Sequence, residues 1–166
     1  MGQPGSLDDD RPGEGNGLRE DITTIAFEQH IWWMRAVPFA RPRFDGRSKR
    51  VFSPAKYENF KRSLQLTVKK RHAPYEHPCA VEIVFGQGPP GKKPKWRWAS
   101  FLEGAWLHTS LPDVDNLAKS ILDAMNGVIW KDDAQVFRLT AEKTYSEKEF
   151  IRLSVYWKKQ AEKDDR

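Results

Sequence analysis

The hydrophobic residues of this 166-residue chain repeat with two different periodicities, and the order of these segments restricts the fold strongly. Between Cys79 and Phe85, and again between Ile151 and Trp157, apolar residues alternate with other residues, as in β-strands. Between Tyr57 and Val68 they recur every three or four residues, which is typical of one face of an α-helix. The chain therefore combines strands and helices in one domain.

The complete pattern predicts six elements in the order β, α, β, α, β, β. They are a strand within 22–34, a helix that starts at Ser53-Pro54 and runs to about 71, a strand at 79–85, a helix at about 115–125, a strand from about 136, and a strand at 150–157. The last two strands are joined by a short segment and are predicted to form an antiparallel hairpin. We predict an α+β fold, a mixed sheet of about four strands with two main helices packed against it.

Composition predicts one domain with a tail at each end of the chain. Residues 1–21 are rich in Gly, Pro and acids and predict a flexible, disordered tail; residues 22–158 form the domain, and 159–166 a charged C-terminal tail. Cys79 is the only cysteine, which excludes an internal disulfide and a thiolate metal cluster, and it is expected to pack in the core. No apolar run approaches the ~20 residues of a membrane span, and no signal pattern begins the chain, so a cytoplasmic protein is expected.

Positive charge is concentrated in the domain. Residues 1–21 carry a net −4, so the overall +5 leaves +9 on the remainder. This favours a polyanionic partner, although a well-solvated basic surface is the alternative. We predict DNA-backbone contacts by residues of an irregular basic segment and of a Gly/Pro/Lys-rich loop at 86–111: Arg41, Arg43, Arg47, Lys49, Arg50, Lys95 and Arg97. Trp96 and Trp98 in that loop either stack on an opened base or form a buried pair.

Asp113 and Asp115 lie two residues apart just before the second helix. Pro112 favours an extended approach, and side chains two apart in an extended backbone point the same way, so both carboxylates could reach one cation. Helix capping is the alternative, but it accounts for only one of the two. His108, five residues earlier, is expected to contact backbone or DNA rather than a metal.

Asp132 and Asp133 follow a turn, where Asp is common for local reasons. Lys119 is four residues after Asp115, so it either forms an ion pair along the helix or lies beside a phosphate. Asp123 is expected to be a helix-surface partner of Lys119. Two or three carboxylates are the oxygen ligands that Mg²⁺ takes, whereas the sequence has no zinc-type His/Cys spacing, Gly-rich phosphate loop or Gly-x-Ser-x-Gly motif.

The segment P-D-V-D-N-L-A-K-S-I-L-D-A-M-N-G-V-I-W-K-D-D-A-Q-V resembles the signature of the RusA Holliday junction resolvases, and R-P-R-F followed by V-F-S-P is similar to their N-terminal motif. The resemblance implies a small, bacterial or phage-encoded α/β homodimer that resolves four-way DNA junctions with Mg²⁺ or Mn²⁺. It places metal-binding aspartates at Asp113, Asp115 and Asp133, a catalytic lysine at Lys119, and a non-essential neighbour at Asp132. The chain departs from the pattern in having Ser110-Leu111 where relatives often have a base, and in its long 86–111 extension.

The residues and the resemblance together predict a magnesium-dependent endodeoxyribonuclease that cuts a four-way junction symmetrically, for which a twofold dimer supplies two active sites. Two other functions stay open at this point. One is a non-catalytic nucleic-acid-binding module whose acids only cap and turn the backbone. The other is a less selective nuclease of branched or single-stranded DNA.

Overall fold

The computed structural model describes residues 25–47, 49–68, 74–88, 95–104 and 107–158, so the predicted tails at 1–21 and 159–166 lie outside the described residues. Six strands and three α-helices are present in those ranges: β1 Ile25–Trp32, β2 Arg43–Asp45, β3 Arg50–Phe52, α1 Ala55–Val68, β4 Cys79–Gln87, α2 Lys95–Leu102, α3 Val114–Met125, β5 Val136–Tyr145 and β6 Phe150–Lys158.

Four of the strands form one mixed sheet in the order β1-β6-β4-β5. β4 is parallel to β5 and antiparallel to β6, and β6 is antiparallel to β1. Seven of the nine residues of β4 are buried, and most residues on both of its faces are apolar, which explains its place inside the sheet. β1 and β5 are the two edge strands. The predicted four-stranded mixed sheet is thus confirmed.

The predicted hairpin of the last two strands is wrong. β5 and β6 are consecutive in the chain, but β4 lies between them and pairs with both. The short connection at 146–149 therefore crosses the end of β4, where the backbone N–H of Ser146 donates to the carbonyl oxygen of Gln87 at 3.0 Å. In a central position the buried strand β4 has hydrogen-bonded neighbours on both sides, whereas an edge position would give it one. This gain outweighs the preference for pairing strands that are adjacent in sequence.

Gly86 makes this crossing possible. A Cβ atom at Gly86 would lie 2.1 Å from Cε1 of Phe150, the first residue of β6. The ring of Phe150 thus lies directly against the Gly86 backbone, in space that every other amino acid would fill.

Helices α1 and α3 pack against one face of the sheet and form the core with it. The buried residues of α1 are the predicted Tyr57, Phe60, Leu64 and Val68. In α3, Leu117, Ile121 and Met125 are buried, as the periodicity predicts. They join inward-facing residues of β4 and β6 in one hydrophobic cluster, which also contains the buried Cys79. The predicted α+β architecture with two main helices is confirmed.

A short hairpin and a short helix were not predicted. The segment expected to be irregular contains the antiparallel hairpin β2–β3, in which Arg43, Phe44 and Asp45 pair with Phe52, Val51 and Arg50. The expected loop at 86–111 contains α2. Both are too short for a periodicity signal. None of the helices in the described ranges is long and apolar enough to cross a membrane.

Candidate active site

Asp113 occupies the N-cap position of α3 with extended backbone angles, φ −66° and ψ 146°. Its carbonyl oxygen accepts the backbone N–H of Leu117 at 3.1 Å, but its side chain makes no capping hydrogen bond. An Asp at this position usually caps the helix with its carboxylate. Here the carboxylate is exposed, so the capping alternative does not account for Asp113.

Asp115 lies in the first turn of α3, because the helix begins at Val114, one residue earlier than predicted. The extended geometry expected for both aspartates therefore applies to Asp113 alone. Asp115 is also exposed, and both negative charges lie at the positive end of the α3 dipole. The N-terminus of α3 thus presents two exposed carboxylates to solvent.

Lys119 is directed toward the segment that precedes β2. Its ammonium lies 4.3 Å from the centre of the Phe39 ring, a cation–π contact, and no ion pair joins it to Asp115 in the described structure. The backbone N–H of Phe39 donates to the carbonyl oxygen of Asn116 at 2.9 Å and holds this segment on α3. The predicted pairing of Asp123 with Lys119 is wrong, because Asp123 accepts a hydrogen bond from the Tyr57 hydroxyl at 3.1 Å.

A cleft of about 550 Å³ opens beside Asp113. It is lined by Arg35, Ala36, Pro38, Phe39, Lys56, Leu111, Pro112, Asp113 and Asn116. Arg35 and Lys56 come from distant positions in the chain and give this cleft two exposed cations. The sequence offered no signal for them beyond their charge. Asp115, Lys119 and Asp133 are not part of its lining.

Asp132 has the local role that turn chemistry predicts. Its carboxylate accepts the backbone N–H of Ala134 at 2.8 Å, and the side-chain oxygen of Gln135 accepts the Asp132 N–H at 2.8 Å, which completes a capping box. The cap begins a 3₁₀ turn over Asp133–Gln135. Asp133 is exposed, and its carboxylate has no hydrogen bond or ion pair within the described ranges.

Tyr75 holds the segment that carries Asp132 and Asp133. Its carbonyl oxygen accepts the backbone N–H of Lys131 at 3.0 Å and the side-chain amide of Gln135 at 3.1 Å. Its hydroxyl donates to the Glu28 carboxylate at 2.7 Å. Burial raises the pKa of this phenol most, and the hydrogen bond to Glu28 raises it further. The neutral hydroxyl of Tyr75 thus binds Glu28 of β1, and the Tyr75 backbone holds the turn that carries Asp132 and Asp133.

Lys143 holds the segment that carries Asp113. Its ammonium donates to the carbonyl oxygens of Ser110 at 2.6 Å and Pro112 at 2.9 Å. His108 is nearby, packs on the Tyr145 ring at 4.6 Å, and is only 8% exposed, so the expected DNA contact of His108 is not supported. Burial lowers the pKa of His108, and the positive charge of Lys143 lowers it further.

These anchors place Asp113 and Asp133 at opposite ends of the α3–β5 unit. The twelve residues of α3 rise ~18 Å between the end next to Asp113 and the end that leads to Asp133. β5 then runs back from Val136, just after Asp133, to Lys143, which binds the segment before Asp113; these seven steps cover ~23 Å. The two carboxylates are therefore roughly 20 Å apart within one chain.

Accordingly, the described residues contain no group of three or more His, Cys, Asp or Glu side chains that could hold a metal ion. Asp113 and Asp115 lie at one end of α3, and Asp133 is not gathered with them. One chain therefore does not fit a three-carboxylate metal site, although its two carboxylates at the N-terminus of α3 are of the type that Mg²⁺ binds.

The predicted DNA-binding residues separate into two groups. Arg41, Arg43, Arg47, Lys49 and Arg50 are all exposed in and beside the β2–β3 hairpin. The only acid of the hairpin, Asp45, accepts the backbone N–H of Arg47 at 3.0 Å within the turn. The side chains of Lys95, Trp96 and Arg97 lie outside the described residues.

Comparison with known proteins gives three matches. The family model described as Endodeoxyribonuclease RusA matches residues 34–156. A Bacillus subtilis (strain 168) protein described as uncharacterized protein YqaN is 33% identical over 124 residues, which cover 69% of this chain and 85% of that protein. The crossover junction endodeoxyribonuclease rusA of Lactococcus phage r1t is 30% identical over 100 residues, 58% of this chain and 70% of that protein.

Proposed function

The chain belongs to the RusA family of endodeoxyribonucleases, and from this premise we propose that it resolves four-way (Holliday) DNA junctions by magnesium-dependent, symmetric phosphodiester cleavage in recombination and repair. One relative is a crossover junction endodeoxyribonuclease from a phage, and the other comes from a bacterium, so we place the substrate in bacterial or phage DNA in the cytoplasm.

The observation that carries this proposal is the Asp113 carboxylate, exposed at a helix N-cap without a capping bond and next to a cleft with two cations. Arg35 and Lys56 in that cleft offer positive charge for the phosphates of a DNA strand. A carboxylate that makes no capping bond, beside two cations, is a suitable arrangement for binding both a divalent ion and a phosphate.

Asp113 and Asp115 would hold the divalent ion, since Mg²⁺ is commonly bound through one or two carboxylates together with waters and substrate phosphate. When bound, the ion would polarise the phosphate and lower the pKa of a water molecule. The chain itself would contribute the placement of the strand. Arg35 and Lys56 would bind phosphate oxygens, while Lys119, held against Phe39, would supply a further positive charge near α3.

We also propose that the β2–β3 hairpin binds the DNA backbone. The five exposed cations in and beside the hairpin outnumber its single acid, and that acid accepts a hydrogen bond within the turn. Phosphate contacts of this kind position a protein without reading sequence, as expected for a nuclease that recognises branching.

A labelled four-way junction incubated with the protein and Mg²⁺ tests this function. Paired nicks at symmetric positions, lost in EDTA and restored by Mg²⁺ or Mn²⁺, are the expected result. Binding without cleavage in either metal would replace the proposal with a non-catalytic binding module. Equal cleavage of linear single strands would replace it with a less selective nuclease.

A further inference from the structure

The segment 107–112, which leads to the N-terminus of α3, exposes two leucines to solvent. Its exposed residues are Leu107, Thr109 and Leu111, and the residues between them are buried or half-buried. At 84% and 79%, Leu107 and Leu111 are the most exposed large hydrophobic side chains in the part of the chain that the structure describes. Both of them lie shortly before the candidate active site in the sequence.

The backbone around Leu111 is fixed to the sheet, although the Leu111 side chain is not packed. The ammonium of Lys143 donates to the carbonyl oxygens of Ser110 and Pro112, one on each side of Leu111, at 2.6 Å and 2.9 Å. Hydrogen bonds from a charged donor are roughly twice as strong as those between neutral groups. Leu111 therefore extends into solvent from a backbone that is held on both sides.

Leu111 is also part of the cleft beside Asp113, where it lies together with the cations Arg35 and Lys56. A single exposed leucine is common on protein surfaces and needs no function. Leu111 differs from such a residue, because its backbone is held and because cations suited to DNA phosphates line the same cleft. Leu107 is not part of that lining.

An apolar side chain beside bound phosphates can reach the bases of the same DNA. Proteins that distort DNA insert leucine and other apolar side chains between base steps and unstack them. Unstacking costs least where a base is already poorly paired or stacked, as at a branch point. We infer that Leu111 inserts between bases at the branch point of a DNA junction. The inference rests on the proposed function for its substrate, and on the exposure and anchoring of Leu111 for its position.

The sequence at this position separates insertion from phosphate binding. Ser110-Leu111 stands where members of the RusA family often have a base. A leucine cannot bind a phosphate, so a DNA contact of Leu111 is a contact with bases or sugars. Such a contact neutralises no phosphate, and it therefore leaves the salt dependence of DNA binding unchanged, unlike a contact of Arg35 or Lys56.

A four-way junction with 2-aminopurine at the branch point tests the inference, since the fluorescence of this base rises when it loses its stacking neighbours. The measurements are made in EDTA, so that no strand is cut. We expect saturating wild-type protein to raise the fluorescence and Leu111→Ala to lose most of this increase. The affinity for the junction relative to a linear duplex should fall about fivefold in Leu111→Ala, because alanine buries less apolar surface. The slope of log K against log salt should not change.

Two further variants serve as controls, and circular dichroism establishes that each is folded. Leu107→Ala is the same substitution at an equally exposed leucine of the same segment, four residues and up to ~13 Å away along the backbone, and it should leave the fluorescence increase at the wild-type value. Leu111→Met keeps a long apolar side chain and should retain most of the increase.

Wild-type protein that binds the junction without raising the fluorescence would overturn the inference, and so would an undiminished increase with Leu111→Ala. Equal losses in Leu107→Ala and Leu111→Ala would also overturn it, because the effect would then belong to the whole segment. These outcomes are distinct from a failure of the proposed nuclease activity, since a protein that does not cut in Mg²⁺ can still unstack the branch point in EDTA.

Discussion

At the scale of single residues, hydrogen bonding distinguishes aspartates that look equivalent in the sequence. Asp132 is used in a capping box, and Asp123 accepts the Tyr57 hydroxyl. Asp113 stands at a position where capping is the usual role, but its carboxylate is not used. Local hydrogen bonds therefore account for Asp132 and Asp123. The exposed carboxylates of Asp113, Asp115 and Asp133 are the candidates for metal binding.

Asp115→Asn is expected to abolish junction cleavage, with a rate decrease of at least ~100-fold, because it removes a charged oxygen ligand. Junction binding should be unchanged or tighter, since the substitution removes negative charge near DNA phosphates. Cleavage is measured on a labelled junction and binding by gel shift in EDTA. Cleavage at the wild-type rate would refute the metal-binding role of Asp115.

His108 should make the stability depend on pH in the acidic range. Burial and Lys143 lower the pKa of His108 from its ordinary 6.5. In the unfolded chain this histidine takes up a proton near pH 6.5, while in the folded chain it does so only at lower pH. Below pH 6.5 the unfolded state therefore binds more protons, and the free energy of unfolding falls as the pH decreases.

Urea unfolding of the wild type and of His108→Gln between pH 5 and 8 tests this effect. We expect the wild type to lose stability below about pH 6.5 more steeply than the variant, and the two slopes to agree above pH 7. The other three histidines, His30, His72 and His77, are present in both proteins and cancel in the comparison. Parallel curves over the whole range would show that His108 titrates alike in both states.

At the scale of elements, the connection between β5 and β6 depends on Gly86, which has no side chain. The chain crosses the end of β4 in the short segment at 146–149, and the Phe150 ring rests on Gly86. This close approach is a consequence of the strand order, and it is invisible in the sequence, where Gly86 looks like the start of a loop.

Gly86→Ala is expected to destabilise the fold by about 1–3 kcal/mol, because its Cβ would overlap the Phe150 ring. The control is Gly46→Ala, where a Cβ meets no atom within 4 Å and stability should change by less than ~0.5 kcal/mol. Urea denaturation measures both. An equal, small effect of the two substitutions would contradict the tight contact between Gly86 and Phe150.

At the scale of the whole molecule, positive charge is concentrated on an exposed hairpin, while the acids of the candidate site lie at the ends of α3. The exposed cations of the hairpin can thus attract DNA to the protein. Since phosphate binding releases counterions, the salt dependence of DNA affinity reports how many of these cations take part.

Arg41→Ala should weaken junction binding and reduce the magnitude of the slope of log K against log salt by about one unit. Affinities are measured in EDTA at several salt concentrations. Lys131→Ala is a suitable control, since Lys131 is exposed but paired with Glu76 at 3.2 Å. An unchanged slope for Arg41→Ala would exclude Arg41 from the DNA-binding surface.

The sequence predicted those features that depend on local patterns. The apolar faces of α1 and α3 and the inward residues of β4 and β6 follow from periodicity and were predicted correctly. The position of β4 between β5 and β6 depends on contacts between distant segments, and so the hairpin prediction failed. For the same reason the contribution of Arg35 and Lys56 to the cleft, and the distance between Asp113 and Asp133, could not be predicted.

The position of β6 has a consequence for biosynthesis. Among the described strands, β1 is made first and pairs only with β6, which is made last. Until β6 is made, β1 has no hydrogen-bonding neighbour in the sheet, and both of its edges are open to other chains. A ribosome stalled before Phe150 would therefore hold a nascent chain prone to aggregation.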